Sequence, residues 1–217
     1  MASLKVGILI SGRGSNMRAL IEACAAADFP AEVVLVISNR ADAAGLALAE
    51  AAGVPSRVID HRDYDDRESF DTAMTEALRE AGAGLVCLAG FMRLLSGEFC
   101  QHWRDRLINI HPSLLPAFKG LHVQERMLEA GVRIGGCTVH FIRPEMDTGP
   151  IIVQAAVPLA ADDTADSLAA RILEQEHRIY PLALRLIAEG RVRIVGERVL
   201  IDGLALPAER LLNPPPV

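Results

Sequence analysis

Lys5-Val6-Gly7-Ile8-Leu9-Ile10-Ser11-Gly12-Arg13-Gly14-Ser15-Asn16 is the stretch on which the fold turns. Residues 5–10 are an apolar run of strand length, and 15–27 carry a helical pattern. A buried strand therefore feeds a helix through a glycine turn. The same unit recurs downstream. Residues 32–37 and 57–59 are strand-like, 43–52 and 66–81 are helical, and 85–89 form another apolar strand. Gly53, shortly before Pro55, marks the end of the second helix. Continuous apolar runs separated by helices predict an α/β fold, a mostly parallel twisted sheet with helices on both faces.

The second half changes character. Residues 134–141 and 151–157 are β-rich and flank Arg143-Pro144-Glu145-Met146-Asp147-Thr148-Gly149-Pro150, a loop by composition. Residues 164–189 form a long helical pattern with Asp163 or Thr164 as its N-cap. Pro181 is expected to kink or break it. Residues 191–194 and 198–201 flank Val195-Gly196-Glu197 and predict a hairpin. The C-terminal part thus adds strands and a long helix to the sheet. The Pro214-Pro215-Pro216 tail reads as extended and loose.

Composition narrows the function. The 217 residues are 51% hydrophobic and 23% charged, an ordinary globular balance. A net charge of −6 gives no electrostatic case for nucleic-acid binding, yet local loops can still hold small anions. Cys24, Cys87, Cys100 and Cys137 contain no C-x-x-C pair, so neither a zinc site nor a disulfide framework is expected. Cys87 reads as a small core hydrophobe. The N-terminal apolar stretch is too short for a membrane span and lacks signal-peptide architecture, so no membrane and a cytoplasmic location are expected.

Two segments carry chemistry. Ser11-Gly12-Arg13-Gly14-Ser15-Asn16 places flexible backbone before a helix N-terminus, which suits an anion. The dinucleotide fingerprint G-x-G-x-x-G fails because Met17 takes its third glycine, and Ser38-Asn39-Arg40 supplies no acid for a ribose. A monophosphate held by Gly14, Ser15 and Asn16 is one reading. A plain glycine turn with Ser15 as N-cap is the other. In Leu107-Ile108-Asn109-Ile110-His111-Pro112, a short buried strand stops at Pro112. Asn109 and His111 then share one face. An amide donor suits a developing oxyanion and an imidazole suits proton transfer. A polar turn capping a core strand is the bland alternative.

Five segments taken together resemble a known family. They are Ser11-Gly12-x-Gly14-Ser15-Asn16, Leu88-Ala89-Gly90-Phe91-Met92-Arg93-Leu94-Leu95, Asn109-Ile110-His111-Pro112-Ser113-Leu114-Leu115-Pro116, Asp147-Thr148-Gly149-Pro150 and Gln175-Glu176-His177-x-Ile179-Tyr180-Pro181. In this order and spacing the chain resembles the phosphoribosylglycinamide formyltransferases from about Val6 to about Leu206. The resemblance implies a single Rossmann-like domain over 1–217. Its phosphate-binding half covers about 1–105, its catalytic and folate-binding half about 106–206, and 207–217 is a loose tail. It implies formyl transfer from 10-formyltetrahydrofolate, a co-substrate, to the amine of glycinamide ribonucleotide, with no metal, in a monomer or homodimer. Asn109, His111 and Asp147 fall on the catalytic trio. Gly14, Ser15, Asn16 and Glu176 fall on the ribonucleotide site. Met92, Arg93, Leu94, Leu95 and Arg67 fall on the folate site.

The residue chemistry fits that reaction. Attack of an amine on a formyl carbon gives a tetrahedral oxyanion, and each donor aimed at it is worth roughly 3 kcal/mol. Asn109 and a protonated His111 can donate, and Asp147 can favour the charged imidazole. Without the resemblance Asp147 reads equally as a turn residue, and Met92 to Leu95 as core. The alternative within the fold is formyltetrahydrofolate hydrolase, with water as acceptor. It is disfavoured because that family adds an N-terminal regulatory domain, whereas here the catalytic-type half starts at Lys5. A methionyl-tRNA transferase would carry an extra C-terminal domain and a more basic surface.

Overall fold

The computed structural model describes residues 3–204, 211 and 213. The Pro214-Pro215-Pro216 segment lies outside the described residues. Within the expected loose tail, Asn213 is anchored: its amide donates to Arg133 O and Leu159 O.

Among the described residues seven strands form one sheet. They are β1 (Leu4–Ile10), β2 (Ala31–Ser38), β3 (Ser56–Val58), β4 (Leu85–Leu88), β5 (Leu107–His111), β6 (Ile134–Phe141) and β7 (Ile151–Pro158), in the order β3-β2-β1-β4-β5-β6-β7. Pairing is parallel from β3 to β5 and antiparallel for β5–β6 and β6–β7. The chain leaves β1 in one direction for β2 and β3, then returns to its other side for β4. The carboxyl ends of β1 and β4 therefore flank a topological switch point, where α/β sheets bind ligands.

Among the described residues six α-helices accompany the sheet: α1 (Ser15–Cys24), α2 (Gly45–Ala51), α3 (Arg67–Glu80), α4 (Gly97–His102), α5 (Val123–Glu129) and α6 (Ala165–Ala188). Strand alternation sorts the side chains onto two faces. Ile8 and Ile10, Leu85 and Cys87, and Ile108 and Ile110 join the core of α1, α5 and α6. Leu9, Val86, Leu88 and Leu107 face α3, α4 and Trp103 on the other side. Gly7 belongs to this second face, where a Cβ would collide with the Leu78 side chain. The two short helices α4 and α5 were not expected from the sequence, because six or seven residues carry too little periodicity to read.

Thr164 and Ser167 form a reciprocal capping box at the start of α6. Of the kink or break expected at Pro181, no break occurs: α6 runs unbroken through it. Proline in a helix interior costs about 3 kcal/mol. Full burial of Leu168, Tyr180, Ala183 and Leu184 on the sheet offsets that cost. The expected C-terminal hairpin is present as β8 (Val192–Val195) and β9 (Arg198–Ile201). All four cysteines are free, and burial pushes the Cys24 thiol up to about 11 and Cys137 up to about 12. No helix among the described residues is long and apolar enough to cross a membrane.

Tyr180 fixes α6 against the strand ends. Its buried hydroxyl donates toward Leu88 O at 3.0 Å and Ile108 O at 3.2 Å, on β4 and β5. Tyr180→Phe keeps the ring and removes this link, at a cost of about 1–2 kcal/mol. Thermal denaturation should show Tm lowered by roughly 2–8 °C. An unchanged Tm would mean that the hydroxyl does not stabilise the fold.

Candidate active site

The site is built on β5. Because Ile108 and Ile110 enter the α6 core, Asn109 and His111 point to the opposite face. The helices of that face, α3 and α4, reach only as far as Leu107, so both polar residues stand beyond them. The pair therefore lies on the sheet face at the end of β5 and not only in the crevice beyond the strand ends. His140 on β6 is paired directly with Asn109, which puts it on the same face.

His111 is buried. Its Nε2 donates to Phe118 O at 3.0 Å, and its Nδ1 lies 3.5 Å from Asp147 Oδ1. Both ring nitrogens thus face oxygens, which a doubly protonated ring satisfies with two N–H groups. Asp147 sits in the left-handed region at φ 49°, and its Oδ2 accepts from Gly120 N at 2.7 Å. The structure thereby joins two residues thirty-six positions apart in sequence. Asn109 is half-buried and makes no side-chain hydrogen bond among the described residues. His140 Nδ1 donates toward Phe141 O and Thr148 O, and burial holds its pKa below the ordinary histidine value.

The glycine loop lies at the end of β1. Gly14, not Ser15, is the N-cap of α1, at φ 73° and with no side-chain cap. The first-turn amides of Ser15 and Asn16 are thus free of any capping side chain, the arrangement that accepts an anion. Alanine cannot replace Gly14 easily, since its Cβ would lie 2.8 Å from Gly45 Cα. Asn16 Nδ2 donates to Glu176 Oε2 at 2.7 Å, bridging α1 and α6. Asn16 Oδ1 is buried without a partner among the described residues. Arg13 is exposed.

The segment after β4 is not core. Met92 and Leu94 are 69% and 61% exposed and Arg93 is exposed, while Phe91 and Leu95 pack partly on the α3–α4 core. Exposed apolar side chains beside a cleft are ligand wall more often than packing. Arg67, the first residue of α3, is exposed and makes no ion pair among the described residues. The link between α3 and this segment is Asp71, whose Oδ2 accepts from Ser96 N at 2.6 Å.

Residues 4–184 match the formyl transferase family. The chain is 42% identical to phosphoribosylglycinamide formyltransferase of Escherichia coli, over 95% of its own length and 97% of that protein. The chain belongs to the formyl transferase family. Within this family it groups with the phosphoribosylglycinamide formyltransferases. The crystal structure of glycinamide ribonucleotide transformylase 1 from Symbiobacterium toebii superimposes with a TM-score of 0.90 at 51% identity, covering 92% of this chain and 94% of that one. The trifunctional purine biosynthetic protein adenosine-3 of Gallus gallus is 51% identical over 88% of the chain, which spans only 19% of that protein. A formyltetrahydrofolate deformylase from Pseudomonas syringae shares the fold at TM-score 0.85 but is 24% identical, a likeness of fold alone.

Within this formyl transferase, three positioning groups escaped sequence reading. Ser11 Oγ donates to Asn39 Oδ1 at 2.6 Å and accepts from Met92 N at 2.8 Å, so one hydroxyl ties together the ends of β1, β2 and β4. Thr138 on β6 donates to Ser113 O and accepts from Leu115 N, fixing the turn after His111. Serine and threonine are too common in strands and turns for sequence to mark either role. Asn39, at the position where a dinucleotide site would carry an acid, is buried and supports Ser11 instead.

Burial holds the Glu176 carboxyl above its ordinary value of 4.5, against the opposing pull of the Asn16 amide. A raised carboxyl pKa means that the folded state keeps a proton the unfolded chain has released. Stability therefore falls as pH rises from the ordinary value toward the folded one. Glu176→Gln removes that fall. Denaturant unfolding across the acid-to-neutral range should show the variant gaining on the wild type as pH rises. A stability difference independent of pH would mean that ionised Glu176 is as well accommodated as in water.

Proposed function

We propose that the chain transfers the formyl group of 10-formyltetrahydrofolate to the amine of glycinamide ribonucleotide, giving formylglycinamide ribonucleotide and tetrahydrofolate. The observation that carries this reading is the His111–Asp147 pair at 3.5 Å beside the uncommitted amide of Asn109, in a chain of this family. The amine attacks the formyl carbon, and the carbonyl oxygen takes up negative charge. Asn109 Nδ2 donates to that oxygen, and the protonated His111 joins it by turning its Nε2–H from Phe118 O to the oxyanion. The amine must lose a proton and the leaving folate nitrogen must gain one. His111 gives its proton to the folate nitrogen and then takes one from the amine, held in place by Asp147.

The binding roles follow from placement. The uncapped α1 N-terminus at Gly14, Ser15 and Asn16 takes the ribonucleotide phosphate. Glu176, bonded to Asn16, is an acceptor for ribose hydroxyls, as is the unpartnered Asn16 Oδ1. Exposed Met92 and Leu94, with Leu95, wall the flat pterin ring. Arg67 and Arg93 offer cations for folate carboxylates. In this reading the ribonucleotide region is on the α1–α6 side and the folate region follows β4. Ser11 joins them, because it belongs to the glycine loop and holds Met92 N.

The reaction is tested by incubating the purified chain with 10-formyltetrahydrofolate, with and without glycinamide ribonucleotide. Tetrahydrofolate should form only with the ribonucleotide present. Equal rates without it would replace this reading by the hydrolase. His111→Ala should lower kcat by about two to four orders of magnitude, and near-normal turnover would remove His111 from the mechanism.

A further inference from the structure

We propose that Arg143 is a positioning residue: it ties the loop carrying Asp147 to the β8–β9 hairpin and so holds the Asp147 carboxylate against His111. This inference rests on the reading of Asp147 given above. Arg143 lies four residues before Asp147 and is only 8% exposed despite its charge. Its guanidinium is used on three sides. Nε donates to Glu197 Oε2 at 2.9 Å and Nη1 donates to Ile142 O at 3.1 Å, while Nη2 lies 2.9 Å from Asp105 Oδ1 as an ion pair without hydrogen-bond alignment. Glu197 is the tip of the β8–β9 turn, and Arg104 also binds it at 3.3 Å. Asp105 precedes β5, the strand that carries His111. One side chain therefore connects the base of the loop, the approach to β5 and the hairpin.

The loop needs such a support. It is pinched at its neck by Phe141 N donating to Pro150 O at 2.9 Å. Asp147 then takes a left-handed conformation, at φ 49°, which non-glycine residues adopt at a cost. Gly149, at φ 117°, lies so tightly over the guanidinium stem that a Cβ would come within 3.1 Å of Arg143 Cγ. A cleft of about 380 Å³ is lined by Arg143, Pro144, Glu145, Thr148 and Gly149 of the loop and by Glu197 of the hairpin. β9 packs beside β7, so the hairpin is itself seated on the sheet. The guanidinium is buried, hydrogen-bonded to the Glu197 carboxylate and ion-paired with Asp105, and its planar shape fixes the direction of the Glu197 bond. The carboxylates are half-exposed, so losing the guanidinium leaves them hydrated and the fold intact.

The test compares Arg143→Met, Glu197→Gln and Asp147→Asn, and each of the first two combined with Asp147→Asn. Methionine keeps most of the stem beneath Gly149 and removes the charge. With Asp147 present, Arg143→Met should lower kcat about tenfold to hundredfold, the scale of a displacement near 1 Å. The KM for glycinamide ribonucleotide should hold, and Tm should stay near the wild type. Glu197→Gln should act in the same direction but less, since Asp105 still grips the guanidinium. In the Asp147→Asn background neither change should lower kcat further. Full kcat in Arg143→Met and Glu197→Gln, or losses that add undiminished to that of Asp147→Asn, would overturn the inference. Full activity in Asp147→Asn alone would instead sink the reading of Asp147. If Arg143→Met does not fold, Glu197→Gln and its double variant decide alone.

Discussion

The register of β5 is the constraint on which the site depends. Ile108 and Ile110 must face α6, because that side of the sheet is a closed apolar core. Given that, strand geometry sends Asn109 and His111 the other way. A slip of one residue would bury both polar side chains in that core and turn two isoleucines into the cleft. The hydrophobic effect thus aims the reactive groups without touching them. The pairing of β5 with β4 on one side and β6 on the other fixes this choice along the whole strand.

What the sheet does not position, backbone hydrogen bonds do. His111 is oriented by Phe118 O, and Asp147 by Gly120 N. Both partners come from the turn that follows β5, and Thr138 holds that turn at its root. Main-chain partners cannot rotate away as long side chains can. The polar groups are therefore ordered before any substrate arrives, which is where much of an electrostatic rate enhancement originates. Ser11 does the equivalent on the other side, where a single hydroxyl spans the ends of three strands.

Much of this was legible in the chain itself. The apolar runs of β1, β2 and β4 announce a parallel sheet, and the Pro112 stop after His111 marks the end of β5 correctly. The glycine loop was placed correctly, although its cap is Gly14 and not Ser15. Pro181 misled, because propensity is local while the burial that keeps α6 whole is tertiary. The apolar letters of Met92 and Leu94 suggested core by themselves, and only their exposure speaks for a ligand wall. The meeting of Asp147 with His111, and of Arg143 with Glu197, depends on chain crossings that no local pattern encodes.

One consequence of α6 concerns synthesis of the chain. Its buried side chains complete the same core as Ile8 and Met17, which are made roughly 150 residues earlier. Until residues 165–188 have left the ribosome, that face of the first strands lacks its longest covering helix, although α1 and α5 already pack there. The amino-terminal portion cannot close on its own as it emerges, and its apolar surface stays open to chaperones or to self-association in the interval. Folding to the final state is therefore a late event, set by the arrival of the last long helix.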